Sequence, residues 1–287
     1  MAASHADQLI YEQQARWARR KGLVVEDCAR AGEAGPRLYV RDVCHNLFQP
    51  IHSGIRHQFE LGDGAELEGK MCALHSSSAL AVNVFQYWCR EDPAPLTSAL
   101  DWPKGPESIR FEQKFPKPDG IRGTKPNLDL VLTYKGQPEI DLIAVESKMA
   151  EPYRDGAKRL HETYRHKHWW RELPHCGRCA MNLNDRLAAG QPGEPYFLDA
   201  AQLLRHILCI HNSHGRRFRL VYLWYDVPCE EGDQHRREAE EFKVAVAQDG
   251  IQFQPVAYQE LILRLTDSCQ GAHTQYIDYL HDRYLFA

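Results

Sequence analysis

The spacing of apolar residues changes several times along the chain, and each change predicts an element. Residues 5–21 carry a polar amphipathic helix pattern that Gly22 ends. Over 23–66, short apolar runs alternate with Gly, Pro and Asp, which reads as loops with one or two short strands. The helical period returns over 68–88, where Met71, Leu74, Leu80, Val84 and Tyr87 offer one apolar face. Four prolines between 92 and 106 read as a linker. The period then falls to two. Ile109, Phe111 and Phe115 alternate with Arg110, Glu112 and Lys114, and Leu128, Leu130 and Leu132 alternate with Asp129, Val131 and Thr133. Residues 140–148 are nearly continuously apolar, as in a strand buried on both faces. Lys135-Gly136 supplies a turn that pairs this strand antiparallel with the one before it.

Residues 153–171 read as a long, basic, aromatic helix, followed by a polar loop holding His175, Cys176 and Cys179 and by a helix over 199–211. Strands at 218–225 and 251–256 bracket a helix at 234–248, and helices at 258–266 and 272–284 close the chain. This order describes an α/β fold with a mixed central sheet flanked by helices. No repeat or low-complexity tract divides it, so residues 1–287 read as a single domain. Its parts are an N-terminal helix and loops over 1–66, an α/β core over 67–260 and C-terminal helices over 261–287.

Composition narrows the class of protein. A chain of 287 residues with 43% hydrophobic and 26% charged content can bury a full core, so disorder is not the default. The net charge of −4 does not announce a nucleic-acid binder, and any phosphate-binding surface must come from local clustering. The 9 cysteines are odd in number and scattered, which suits free thiols in a reducing cytoplasm. The opening residues lack a basic segment followed by an apolar one, and no apolar run approaches the roughly 20 residues that span a bilayer. A soluble cytoplasmic protein with no membrane partner is expected.

Chemistry concentrates at one strand end. Alternation puts Glu146 and Lys148 on one face, and Asp129 on the neighbouring strand can reach the same edge. Two carboxylates and a lysine are costly there unless they meet a partner or a metal. Asp129 and Glu146 suit Mg²⁺, a hard cation that takes oxygen ligands and keeps several waters, with Glu112 as a third metal-binding carboxylate. Lys148 would orient or help deprotonate the attacking water and offset charge building on the phosphate. The alternative is a plain Glu146–Lys148 ion pair, since an E-x-K triplet is common by chance. The context strengthens the metal reading. The triplet ends an apolar strand, and Asp129, preceded by Pro126-Asn127-Leu128, opens the strand before it.

Pro126-Asn127-Leu128-Asp129 followed by Val145-Glu146-Ser147-Lys148 resembles the PD-(D/E)XK nuclease superfamily, and more narrowly an uncharacterised bacterial branch of it. That branch carries a helix similar to residues 76–85 and a segment similar to Met149-Ala150-Glu151-Pro152-Tyr153. It also has a later helix and strand similar to Gln202-Leu203-Leu204-Arg205 and residues 220–225. The likeness spans residues 70 to 225. It implies a restriction-endonuclease-like fold and Mg²⁺-dependent endonuclease cleavage of DNA, with Mn²⁺ able to substitute. Asp129, Glu146 and Lys148 would be catalytic, in a restriction or defence setting. Ser78 stands where that branch is expected to have glutamine, which leaves the role of the early helix open.

Other features bear on the substrate. Ser76 and Asn83 lie seven residues apart on one helical face, bordering the cleft or serving as cap and backbone partner. From Arg154 to Arg178 there are seven Lys or Arg, three Asp or Glu and four His, with Tyr164, Trp169 and Trp170 interleaved. Such a stretch suits phosphate contact and base stacking, or else a solvated face over buried tryptophans. Glu151, Arg154, Lys158, Gln202 and Arg205 are the candidate cleft or DNA contacts, and the arginines at 216, 217 and 219 could extend that surface. Zinc at Cys176 and Cys179 is disfavoured, because one C-x-x-C supplies only two ligands. Double-stranded DNA is the expected partner, and cutting both strands would favour a homodimer. The competing class is a catalytically silent nucleic-acid-binding or scaffold protein that kept the nuclease fold. The intact Asp129, Glu146 and Lys148 set favours the enzyme.

Overall fold

The period-two segments at the middle of the chain pair into a five-stranded sheet, and helices cover both of its faces. The structure is a computed structural model and describes residues 4–28, 37–62, 66–67, 69–155, 158–188 and 196–286. It opens with α1 (His5–Arg20), which Ser4 caps by accepting from the Asp7 N–H at 3.2 Å and which ends before Gly22 at φ +64°. Strands β1 (Val25–Cys28) and β2 (Arg37–Val40) form a small antiparallel ribbon. Helices α2 (Ser53–Glu60), α3 (Ser77–Phe85) and α4 (Ala94–Ala99) follow. Next come β3 (Ser108–Lys114), β4 (Asn127–Thr133) and β5 (Leu142–Lys148), then α5 (Glu151–Asp155), α6 (Pro174–Ala188) and α7 (Ala200–His214). The chain finishes with β6 (Phe218–Trp224), α8 (Glu230–Ala247), β7 (Gln252–Ala257), α9 (Tyr258–Cys269) and α10 (Thr274–Tyr284).

The sheet order is β3-β4-β5-β6-β7, antiparallel across the first three strands and parallel across the last three. Ile143 and Val145 of β5 face a core shared with α3, α9 and α10, while Leu142 and Ala144 face one shared with α6, α7 and α8. Both faces are covered, which explains the unbroken apolar run in β5. This is the α/β architecture with a mixed central sheet flanked by helices that the sequence predicts.

Several local expectations give way to tertiary contacts. The segment read as loops contains α2. Residues 68–88 hold only the nine-residue α3 between two 3₁₀ turns, because Ser76 accepts from the Ala79 N–H at 3.2 Å and starts the helix late. Ahead of it, Leu74 N–H donates to Leu38 O of β2 at 2.9 Å. The proline-rich linker contains α4, with Pro95 in the first turn, where a missing N–H costs nothing.

The long basic helix is instead α5 followed by 3₁₀ turns at Glu162–Arg165 and Lys167–Trp170. The indole N–H groups of Trp169 and Trp170 donate to the carbonyls of Thr163 and Tyr164 at 2.9 and 2.7 Å, folding the segment back on itself. The polar loop at 175–179 is the first half of α6. Its first N–H groups, from His175 and Cys176, donate to the Asp249 carboxylate at 3.1 and 2.7 Å, a cap delivered from the end of α8.

Candidate active site at the split between β4 and β5

The β4–β5 ladder stops at Leu130 opposite Val145. Asp129 and Glu146 would be the next pair, but the strands part there, and the Ser147 N–H donates to Asp129 Oδ2 at 2.6 Å. β5 keeps pairing with β6 as far as Lys148 opposite Trp224. On the other side of β4, pairs Phe111–Leu130 and Gln113–Leu128 bracket Glu112 and Asp129. Glu112 has φ +53°, a left-handed conformation that costs a non-glycine residue about 1–3 kcal/mol and concentrates at functional sites. Leu128 and Leu130, two residues apart, consequently belong to different cores, so β4 changes face at Asp129. The simple alternation expected of Leu128, Leu130 and Leu132 fails at this residue because of the kink.

The charges are packed tightly. Lys148 Nζ lies 2.6 Å from Glu146 Oε1, and His206 Nε2 of α7 lies 3.0 Å from Glu146 Oε2. Glu146 and His206 are each 2% exposed and Lys148 is 16% exposed. Burial pushes the Glu146 carboxyl up, but Lys148 and His206 outweigh it and hold the group below its ordinary range. Burial favours the neutral amine of Lys148, yet Glu146, Asp129 and Glu151 together raise its pKa. Asp129 is driven well above the ordinary carboxylate range by burial and then by Glu146. Burial pushes Glu112 up to about 7, with Glu66 and Glu146 adding repulsion against the bond it accepts from the Asn127 amide.

Around this centre, Glu151 accepts from Ser77 Oγ at 2.6 Å and from the Met149 N–H at 2.8 Å. Burial opposes its charge, but Lys148 and these donors keep it ionised. Ser147 Oγ meets Tyr258 OH at 2.7 Å, which ties β5 to α9. Ser78, at the expected glutamine position, donates to Glu66 Oε2 at 2.9 Å. One crevice beside the triplet gathers Lys148, Glu151, Lys158, Gln202 and Tyr222.

Other candidates fall elsewhere. Ser76 is the α3 cap. Asn83 is buried, donating to Asn46 O and Tyr284 OH at 2.9 and 2.8 Å and accepting from the Phe48 N–H at 2.6 Å, so it braces the interior instead of bordering the cleft. Arg154 Nη1 meets His75 Nε2 at 3.2 Å, and Arg205 is half-buried beside His206 on α7. Arg217 precedes β6 and pairs with Asp141, and Arg219 lies opposite Ile143, both at the far end of β5 from Lys148. They do not extend the candidate surface.

The donor set at the split suits a hard cation. Glu146 and Glu112 both repel a charge on Asp129, Asp129 and Glu112 are pushed towards neutrality, and Glu146 Oε2 is buried without a completed hydrogen bond. Among the described residues no three His, Cys, Asp or Glu side chains converge around a common point, whereas Mg²⁺ asks for only one or two carboxylates with waters. Cys176 is buried in α6, and its thiol is raised by burial beyond any ready ionisation.

His206, Ser77 and Glu66 were not apparent from the sequence. His206 follows Gln202 by one helical turn, a spacing that could have drawn attention to it once α7 was assigned to the sheet face. Among the described residues no helix is long and apolar enough to cross a membrane. No curated protein and no solved structure matches the chain. A family model described as "Restriction Endonuclease associating with ARP" matches residues 12–285, nearly the whole chain, and the protein belongs to that restriction-endonuclease family.

Proposed function

We propose that the protein is a Mg²⁺-dependent endodeoxyribonuclease in which Asp129, Glu146 and Lys148 carry the reaction and Glu112 adds a third carboxylate. The meeting of Asp129 and Glu146 with Lys148 at the point where β4 leaves β5, with Glu112 beside Asp129 on the next strand, supports this reading most strongly. Asp129 and Glu146 would hold the cation together with waters, Glu112 would add a third carboxylate from the next strand, and Mn²⁺ would serve in place of Mg²⁺. When bound, the cation supplies Lewis-acid polarisation of the phosphate and offsets the carboxylate charge.

The chain's own groups divide the remaining work. Hydrolysis joins a water oxygen to phosphorus and breaks the bond to one ester oxygen, which leaves and takes up a proton. Lys148 keeps its proton on Nζ, since three carboxylates outweigh its burial. It therefore acts as a hydrogen-bond donor that orients the water and stabilises charge on the phosphate, not as the base. His206 sets the direction of Glu146 from behind, and the Ser147 N–H does the same for Asp129.

The family's description, association with ARP, supports a restriction or defence setting in which the chain works beside a partner protein. Two copies related by symmetry would suit cleavage of both strands of a duplex. The test is cleavage of supercoiled plasmid with Mg²⁺ or Mn²⁺. The wild type should nick or linearise it, and Lys148→Ala and Asp129→Ala should leave it intact. A wild type that leaves plasmid and single-stranded DNA whole with both metals would sink the enzymatic reading.

A further inference from the structure

The β3–β4 connection, residues 115–126, springs from the strand ends that carry Glu112 and Asp129. Over 114–126 there are four Lys or Arg against Asp119 alone, and over 158–171 there are five against Glu162 alone. A chain of formal charge −4 thus carries a net excess of seven positive charges in two short segments. Arg122, Lys125, Arg159, Lys167 and Arg171 are all exposed.

The two segments meet. Gly120, at φ +95°, lies against the Trp169 ring, where a Cβ would stand 3.5 Å from Cη2 and Cζ2. Phe115, Ile121, Leu160 and Tyr164 bury their side chains in the same core as α7. Lys117 and Arg205 both act on the Cys209 thiol, which burial raises to about 12 and which lies three residues beyond His206. The basic connection therefore leans over the helix that backs Glu146. His166, His168 and Trp169 add rings along the second segment, with 3.9 Å between the centroids of the last two.

We propose that duplex DNA reaches the catalytic edge across a two-armed basic rim, one arm being residues 115–126 and the other residues 158–171. This rests on the nuclease reading for the choice of DNA. The sugar-phosphate backbone is the occupant that charge complementarity favours, because basic residues clustered in an otherwise acidic protein make a local positive potential that a polyanion matches. Arg122 and Lys125 would contact phosphates from one side and Arg159 and Lys167 from the other. Arg165 is excluded from the rim because it pairs with Asp185 at 3.3 Å.

The test measures binding of a fluorescent 20-base-pair duplex by the full chain in EDTA, over a range of salt. Arg122→Glu/Lys125→Glu and Arg159→Glu/Lys167→Glu should each weaken binding tenfold or more. Each should also flatten the slope of log K against log salt by about 2, close to 0.9 per lost phosphate contact. Arg90→Glu/Arg237→Glu, with the same change in charge at other exposed sites, should bind as the wild type does. The rim is refuted if the arm variants bind like that control, or if single-stranded DNA or RNA of equal length binds better than the duplex. Plasmid cleavage run in parallel separates the two readings. Cleavage with indifferent arms removes the rim alone, and rim-dependent binding without cleavage removes the catalytic reading alone.

Discussion

His206 Nε2 lies 3.0 Å from Glu146 Oε2, and both side chains are 2% exposed. The contact sets an imidazole beside the carboxylate oxygen that faces away from Lys148, without a completed hydrogen bond between them. A group that orients a metal ligand from behind is commonly worth about 10–100-fold in metal affinity or activity. His206→Ala should therefore cut plasmid 10- to 100-fold more slowly and bind Mn²⁺ correspondingly more weakly by calorimetry. His206→Gln should recover part of both. Unchanged Mn²⁺ affinity in the alanine variant would show that the contact only fills space.

Asp129 pays for its position with stability. Burial and the Glu146 charge raise its pKa, so its ionised form destabilises the fold near neutral pH. Asp129→Asn keeps an oxygen for the Ser147 N–H and removes the charge. The variant should lose cleavage yet melt higher without metal, by roughly 2–6 °C for a gain of about 1–2 kcal/mol in a chain of this size. Added Mg²⁺ should raise the wild-type Tm and leave the variant's unchanged. A variant that melts lower than the wild type in EDTA would contradict the repulsion.

His235 gives the fold a defined acid sensitivity. It is buried between Tyr222 OH at 3.0 Å and Tyr153 OH at 3.3 Å, and burial lowers its pKa from 6.5 to about 3. The unfolded chain protonates this group as pH falls through 6.5, while the folded chain resists until about 3. Its contribution is thus whole above 6.5 and is lost on acidification, at about 1.4 kcal/mol per pH unit. Between pH 7 and 4.5, His235→Gln should gain about 2–3 kcal/mol on the wild type in urea unfolding. A constant difference across that range would mean the histidine is not held neutral.

Asn83 separates bracing from substrate contact. Its amide satisfies Asn46 O, Tyr284 OH and the Phe48 N–H, linking α3 to the N-terminal segment and to α10. Asn83→Leu leaves those groups unpaired and should cost about 2–4 kcal/mol. Plasmid cleavage per folded molecule and the Kd for duplex DNA should stay within twofold of the wild type at a temperature where both are folded. A selective loss of DNA affinity would return Asn83 to the cleft.

The sheet and most of its flanking helices were legible because their signals are local. Alternation marks β3 and β4, the continuous apolar run marks β5, and an amphipathic period ended by Gly22 marks α1. Residues 153–171 misled for the opposite reason. Their helical periodicity loses to Trp169 and Trp170, whose burial and hydrogen bonds favour turns. At 175–179 the polar composition suggested a loop, but Asp249, distant in sequence, caps a helix there.

For the candidate site, the sequence by itself determined the residue types, their spacing and the shared face of Glu146 and Lys148, since strand period and chain order suffice for these. Tertiary structure alone decided that β4 kinks and parts from β5 at Asp129, that Glu112 takes a left-handed backbone opposite it, and that His206 closes on Glu146 from α7. The physical reason is range. Alternation is written between neighbours, whereas carboxylate crowding and the desolvation that shifts these charges depend on which distant segments pack over them.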